Sequence, residues 1–399
     1  MSRVDLAAFW SLFMGGWGAT FPFLGLYFRE NAGLSGTEVG IVLGVLPLVG
    51  LVAQPVWGQL SDRTGSRSRT LGLVCLAAGV SYLVVPLARG FASILAVMAV
   101  SAGFSTAVGP LATAVTLGAL GSAGLREFGR VRVWGTVAFG VVVVAFPFLL
   151  DALERAGDLQ PAADGPSEPA LGAIFVATGV AWIAASALVL RLPRSVEVAP
   201  RAARGEWREL LRSRSYRRVV FLTFGAFLCF QGPMMLFPIW VRSLGGDADT
   251  VSRLWIPMLA LEIPLVAWAG QGLDRIGARG LVTVGILAGA LRWTICAFAT
   301  NPLVVYPAQL LHGVTVAGLV VGAPLYVEQC VSERLRSTAQ GALAMLGFGL
   351  GGVVSTWLSG IMLDRFGATA PSLAGGLGGF ALAALLPFFL PRPVKSVAP

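Results

Sequence analysis

Three ionisable residues stand in the middle of long apolar runs in the C-terminal part of the chain. Glu262 lies within Leu259-Ala260-Leu261-Glu262-Ile263-Pro264, Arg292 within Ala290-Leu291-Arg292-Trp293, and His312 within Leu311-His312-Gly313. A charge in a hydrocarbon-like medium is costly unless it is paired, so such residues point to function. Apolar surroundings disfavour an ionised carboxyl, and a neighbouring guanidinium favours it. A motion that alters such a pair therefore changes its proton affinity, as proton coupling requires. On this reading Glu262 is a protonation site, and Arg292 is its counter-charge or the anchor for a carboxylate or polar group of a ligand. The blander alternative is a static buried ion pair. His312 either joins the proton path or is held by a backbone carbonyl.

The elements that must position these residues are membrane spans. Of the 399 residues, 56% are hydrophobic and 12% charged, too little charge to coat a soluble protein of this size. Apolar runs of about 20 residues recur, the length that crosses hydrocarbon of about 30 Å. Hydropathy and charge breaks predict helices near 6–28, 37–60, 70–88, 92–118, 128–150, 171–191, 218–243, 250–272, 280–299, 302–329, 337–362 and 371–390. The first is too long for a signal-peptide core and reads as an uncleaved span. With both termini cytoplasmic, inside segments hold 22 of the 29 basic residues and outside segments hold 6, with Arg292 inside a span. That asymmetry orients the chain. The net charge of +9 is thus a topology signal and not a nucleic-acid footprint. The expected fold is an all-α membrane protein of 12 transmembrane helices in two pseudo-symmetric six-helix bundles. Residues 1–190 and 218–399 form the bundles, and 191–217 form a cytoplasmic connector. Within the connector, Gly205-Glu206-Trp207-Arg208-Glu209-Leu210-Leu211-Arg212 reads as a short amphipathic helix facing lipid headgroups. Residues 151–170 form an acidic, Pro-rich outer loop.

The chain repeats itself. Gly58-Gln59-Leu60-Ser61-Asp62-Arg63-Thr64-Gly65 returns as Gly270-Gln271-Gly272-Leu273-Asp274-Arg275-Ile276-Gly277, five of eight positions agreeing at an offset of 212. Arg130-x-Arg132 is echoed by Arg334-x-Arg336, and a third copy, Gly360-Ile-Met-Leu-Asp364-Arg365-Phe-Gly367, ends span eleven on the outer side. In the motif, Gly58 lets a helix end approach a neighbour, Asp62 accepts from a helix N-terminus or pairs with a neighbouring Arg, and Gly65 makes the turn. This reads as a conformational gate on the cytoplasmic face. Its members are Gly58, Asp62, Arg63, Gly65, Arg67, Gly270, Asp274, Arg275, Gly277, Arg130, Glu328, Arg334 and Arg336. The alternative is a plain tight loop. Gln54, Trp57 and Gln231 are candidates to line a cavity, although polar groups in spans often only bond across helices.

Along its whole length the sequence resembles the major facilitator superfamily, whose loop signature Gly58-x-x-x-Asp62-Arg63-x-Gly65-x-Arg67 matches. Its two halves correspond to the parallel repeat of the major facilitator fold. Pro22-Phe23-Leu24-x-x-Tyr27-Phe28-Arg29, Phe128-Gly129-Arg130-Val131-Arg132-Val133-Trp134-Gly135, and the segments around Arg292 and His312 are similar to the branch of lactose permease, nucleoside–proton symporters and the 3-phenylpropionate permease. The resemblance implies a proton-coupled importer of a small organic solute, with a central cavity and rocker-switch motion. It also implies a substrate contact at Arg132, and it aligns Arg292 and His312 with the Arg and His of spans nine and ten. Two positions depart from lactose permease. Thr315 stands where a proton-carrying Glu follows the His, and Ala112-Thr113-Ala114-Val115-Thr116 lacks the substrate-binding Glu of span four. The nucleoside and aromatic-acid side of the branch fits better than galactosides.

The remaining readings are narrower. Cys75, Cys229, Cys296 and Cys330 are scattered in apolar spans without metal spacing and read as core residues, so no metal site is expected. No Walker A loop is present, so the expected energy source is the proton motive force, with no cofactor. The expected partners are a small-molecule solute, protons and membrane lipids, with no nucleic acid. The chain is expected to be monomeric, in a bacterial inner membrane. A drug–proton antiporter is the nearest rival, but span five lacks that family's Gly-Pro motif. A membrane enzyme would need catalytic equipment that one His, no Gly-x-Ser-x-Gly and no paired metal ligands do not supply. A sensor on a transporter scaffold usually adds an output domain, and none is seen.

Overall fold

In lipid every backbone N–H and C=O must find its partner within the protein, and an apolar segment does this by coiling into a helix. The computed structural model describes residues 3–121, 124–159, 168–190, 207–332 and 335–390, and these are helical with no strand among them. The side chains at 124–126, 190, 207, 208, 211, 267–274 and 337 lie outside the description. The long helices are α1 (Arg3–Thr20), α2 (Gly36–Thr64), α3 (Arg67–Val84), α4 (Gly90–Leu120), α5 (Gly124–Ala156), α6 (Ala173–Leu190) and α7 (Arg214–Met235). Ala248–Phe298 is broken at Gly277, whose φ of 70° is not helical. Residues 248–276 are called α8 and residues 278–298 α9. There follow α10 (Pro307–Cys330), α11 (Thr338–Phe366) and α12 (Ala370–Phe389). Ten helices among the described residues are long and apolar enough to cross a membrane. The other two long ones, α1 and α8, lie where the sequence expects spans one and eight and carry charges, α1 at Arg3 and Asp5, α8 at Asp249, Arg253, Glu262, Asp274 and Arg275.

Helix ends obey local chemistry. Ser35 caps α2 by accepting from the Glu38 backbone N–H while the Glu38 carboxylate accepts from Ser35, a reciprocal capping box. Gly65 ends α2 in the left-handed region that glycine enters at little cost. Asp247 caps α8 through the Thr250 backbone N–H. The connector helix expected over 205–212 is present over Trp207–Arg212.

In the first half of the chain α1 packs on α5 and α6, α3 on α4 and α6, and α2 on α4. In the second half α7 packs on α11 and α12, while α10 and α12 pack on the α8–α9 segment. Side chains fill these seams. Trp182 donates to the Phe13 carbonyl, and the Tyr216 hydroxyl donates to the Ala339 carbonyl. Between the two groups of helices the main seams are α2 on α11 and α5 on α8. In the second seam the buried Ser252 hydroxyl donates to the Val143 carbonyl.

Candidate functional site

The three mid-span ionisable residues converge. His312 lies two positions into an α-helical stretch that runs over Leu310–Val316 and loosens into a π-turn at Ala317–Val321, a feature often found at functional sites. The residue after it, Gly313, has no side chain to hold α10 away. A Cβ there would sit 2.5 Å from the Glu262 backbone nitrogen. The close approach of α10 to α8 sets the His312 ring beside the Glu262 carboxylate, Nε2 to Oε2 at 3.6 Å. On its other side, His312 Nδ1 lies 3.4 Å from Arg292 Nη1. Guanidinium only donates, so Nδ1 is the acceptor and the ring proton belongs on Nε2, toward Glu262. The order in space is Arg292, His312, Glu262, with the imidazole bridging the two charges.

Arg292 is 2% exposed. Its Nε donates to Gln309 Oε1 at 2.9 Å. The remaining N–H groups meet the sulfurs of Met234 and Met258 at 3.6–3.7 Å, besides His312. The guanidinium also lies over the Trp293 ring, with Cζ 4.2 Å from its centre. Arg132 of α5, in the other half of the chain, lies within electrostatic range of Glu262 without an ion-pair contact to it. Arg132 stacks on Trp10 at 4.7 Å and donates to Thr136. Trp255 packs on His312 and bridges to Phe21 and Phe139 of the first half. The sequence reading singled out neither Gln309 nor a cavity role for Trp255. The signal for Gln309 was its place three residues before His312, on the same helix face.

A cavity of about 130 Å³ borders this group, lined by Arg292, His312, Trp293, Thr315, Phe227 and Phe230 among others. Gln231 also lines it, and lines two neighbouring cavities of about 140 and 730 Å³. Gln54 lines the larger one. Trp57 is occupied elsewhere. Its indole donates to the Gly103 carbonyl at 2.8 Å, joining α2 to α4.

The gate motifs behave differently at the two ends of the helices. At the end expected to be cytoplasmic, Asp62 pairs with Arg67 of its own motif at 3.0 Å, and Arg130 pairs with Glu127 one turn away. A Cβ on Gly58 would meet nothing within 4 Å, so the close approach expected of Gly58 is not made. Arg63, Arg275 and Glu328 are exposed, Arg336 is partly buried and Gly277 forms the break between α8 and α9. Arg334 and the side-chain surroundings of Gly270 and Asp274 lie outside the described residues.

At the opposite end the third motif copy engages. Asp364 accepts from the backbone N–H groups of Gly36 and Thr37 at 2.6 and 2.7 Å and from the Thr37 hydroxyl at 2.6 Å. A carboxylate of α11 thereby caps the N-terminus of α2 across the two halves. Gly360 faces Gly36 and Gly40 so closely that a Cβ on it would be 2.4 Å from the Gly36 carbonyl oxygen. Nearby, Arg242 after α7 grips Glu30 with two hydrogen bonds at 2.8 and 3.2 Å and also binds Glu168. Glu168 in turn accepts from the Ala248 backbone N–H that opens α8. Burial pushes the Glu30 and Glu168 carboxyls above their ordinary range, and Arg242 offsets part of that rise.

The chain matches the family model described as MFS_1 like family over residues 4–374. It is 28% identical over 365 residues to a maltose permease of Geobacillus stearothermophilus, covering 90% of this chain and 87% of that protein. Its fold superposes on a crystal structure of a variant of the nucleoside transporter NupG with a TM-score of 0.83, at 16% identity and over 97% of this chain and 99% of that one. It superposes on a D-xylose–proton symporter with a TM-score of 0.71, at 15% identity and over 98% of each chain. A helical, multi-pass chain matched almost end to end in this way belongs to the MFS_1 like family: it is a major facilitator transporter of the permease type and not an enzyme.

Proposed function

We propose that the protein is a proton-coupled symporter that carries a small organic solute across a bacterial inner membrane by alternating access, with both termini in the cytoplasm. The observation that carries this reading is the Arg292–His312–Glu262 series set beside a cavity in mid-span. Glu262 takes the proton. When it is charged, Arg132 of the other half attracts it, which ties protonation to the α5–α8 seam between the halves. When it is neutral that attraction lapses and the seam loosens. His312 passes the change on to Arg292, and Arg292, His312 and Gln231, which line the cavity, meet the solute, while Arg132 lines none of the described cavities and acts through Glu262. Gln54 lines the approach. The proton motive force drives uptake, the transporter acts as a monomer of two six-helix halves, and no cofactor is needed.

The clasp made by Asp364, Arg242, Glu30 and Glu168 seals the outer end in this conformation, and the Asp62 and Asp274 motifs take the corresponding part in the opposite one. The descriptions of relatives as maltose, nucleoside and D-xylose–proton transporters support a sugar- or nucleoside-like solute, and the resemblance to the aromatic-acid permeases adds that class. Solute-driven proton flux in proteoliposomes tests the reading. One solute of such a panel should acidify the lumen in the wild type, and Glu262→Gln should abolish that flux while sparing exchange. Uphill uptake that survives Glu262→Gln would remove Glu262 from the proton path.

A further inference from the structure

We infer that the transported solute carries a carboxylate on a body about one ring in size, and that Arg292 is the group that receives it. The inference rests on the cavity beside Arg292 being the transport site.

The charges of the interior do not balance. Among the described residues, Glu262 is the one carboxylate in mid-span, and the cations there are Arg132 and Arg292. Glu262 is engaged by His312 and by the field of Arg132. Arg292 has no carboxylate partner among the described residues. Gln309 takes its Nε proton, and its terminal nitrogens meet two thioether sulfurs and one imidazole nitrogen. Thioethers are weak acceptors, so the terminal N–H groups that face sulfur are poorly satisfied. A buried charge in that condition is retained where a ligand completes it. A neutral polyol would supply acceptors and leave the charge. A carboxylate supplies two acceptors in the geometry of the guanidinium fork and cancels the charge.

The space argues the rest. The cavity in front of Arg292 has a volume of about 130 Å³. It is slightly smaller than the roughly 150 Å³ cavity that holds a benzene ring, so it takes a body of one ring at most. Phe227, Phe230 and Trp293 supply flat apolar walls, and Gln231 and Thr315 supply the few polar edges. Such a lining suits a planar ring better than a hydroxyl-covered one.

Binding to the purified protein, followed by calorimetry, tests this with matched pairs: benzoate against benzamide, and 3-phenylpropionate against 3-phenylpropanamide, with maltose as a neutral sugar. The acids should bind about thirtyfold or more tightly than their amides, the range expected for hydrogen bonds to a charged partner. Arg292→Gln should bring acid and amide within about threefold of each other, chiefly by weakening the acid, a tenfold step being 1.4 kcal/mol. Arg292→Lys keeps the charge without the fork and should fall between. If Arg292→Gln does not fold, the acid-to-amide ratio in the wild type and in Arg292→Lys decides. Amides or maltose binding as tightly as the acids, no binding of either acid, or a ratio that persists in Arg292→Gln would each overturn the inference. Proton flux separates the two readings. Proton-coupled uptake of a neutral solute keeps the symport proposal and removes this one, while tight acid binding without coupled flux does the reverse.

Discussion

Replacing Asp364 by Asn should open the outer end of the transporter. Asp364 makes three hydrogen bonds to the start of α2 at 2.6–2.7 Å, two of them from backbone N–H groups that the helix itself cannot satisfy. Asn keeps one acceptor oxygen, loses the charge that favours a helix N-terminus, and turns an NH₂ toward existing donors. Hydrogen bonds to a charged group contribute about 1.5–3 kcal/mol each, but Asp364 is 29% exposed, so water replaces part of the loss. A net shift of about 2–3 kcal/mol follows for the closed arrangement, roughly thirtyfold to 150-fold in its equilibrium with the open one. The assay is the labelling rate of a cysteine at Leu43 or Thr356, which line the small cavity beneath the clasp. A membrane-impermeant maleimide on right-side-out vesicles reads that rate, with the four native cysteines replaced. Arg29 stands 4.0 Å from Asp364 on the exposed side, so Arg29→Gln should change labelling less than about threefold. A folded Asp364→Asn variant that labels within twofold of its parent would refute the clasp.

Two further outcomes follow from the same end of the molecule. Gly360→Val would place a Cβ 2.4 Å from the Gly36 carbonyl, so α2 and α11 cannot close. Labelling should rise by the equivalent of an overpacking cost of about 1–3 kcal/mol. The Arg242 clasp should respond to pH. Its carboxyls, Glu30 and Glu168, are raised above the ordinary 4.5 by burial, so the closed arrangement binds protons more readily than an opened, hydrated one. The advantage is complete below about 4.5 and fades as the pH rises through the raised values. Outer labelling should therefore increase from pH 4.5 to 7.5, and Glu30→Gln with Glu168→Gln should flatten the profile.

Much of the architecture was legible in the chain because lipid imposes a simple rule. A segment must be apolar, helical and about 20 residues long, and length and charge breaks reveal that without any tertiary information. The same rule exposes Glu262, Arg292 and His312, since a charged side chain is conspicuous where charges are costly. Their convergence is another matter. α4 carries no charged residue from Gly90 to Leu120, and with every face apolar its periodicity does not say which side turns inward. Trp57 looked as eligible for the cavity as Gln54, yet it is held by Gly103.

Sequence by itself determined the helical, membrane-spanning build, the duplicated Asp-Arg motif and the identity of the mid-span charges. Tertiary structure alone decided that His312 stands between Arg292 and Glu262, that Arg132 from the other half acts on Glu262, and that Gln309 holds Arg292. It also decided which copy of the Asp-Arg motif joins the two halves. The copies at Asp62 and Asp364 share their residues, but only Asp364 finds a free helix N-terminus, because Gly36, Gly40 and Gly360 let α2 and α11 meet there. Local chemistry writes the same motif at both ends, and the packing of one half against the other selects the end where it is engaged.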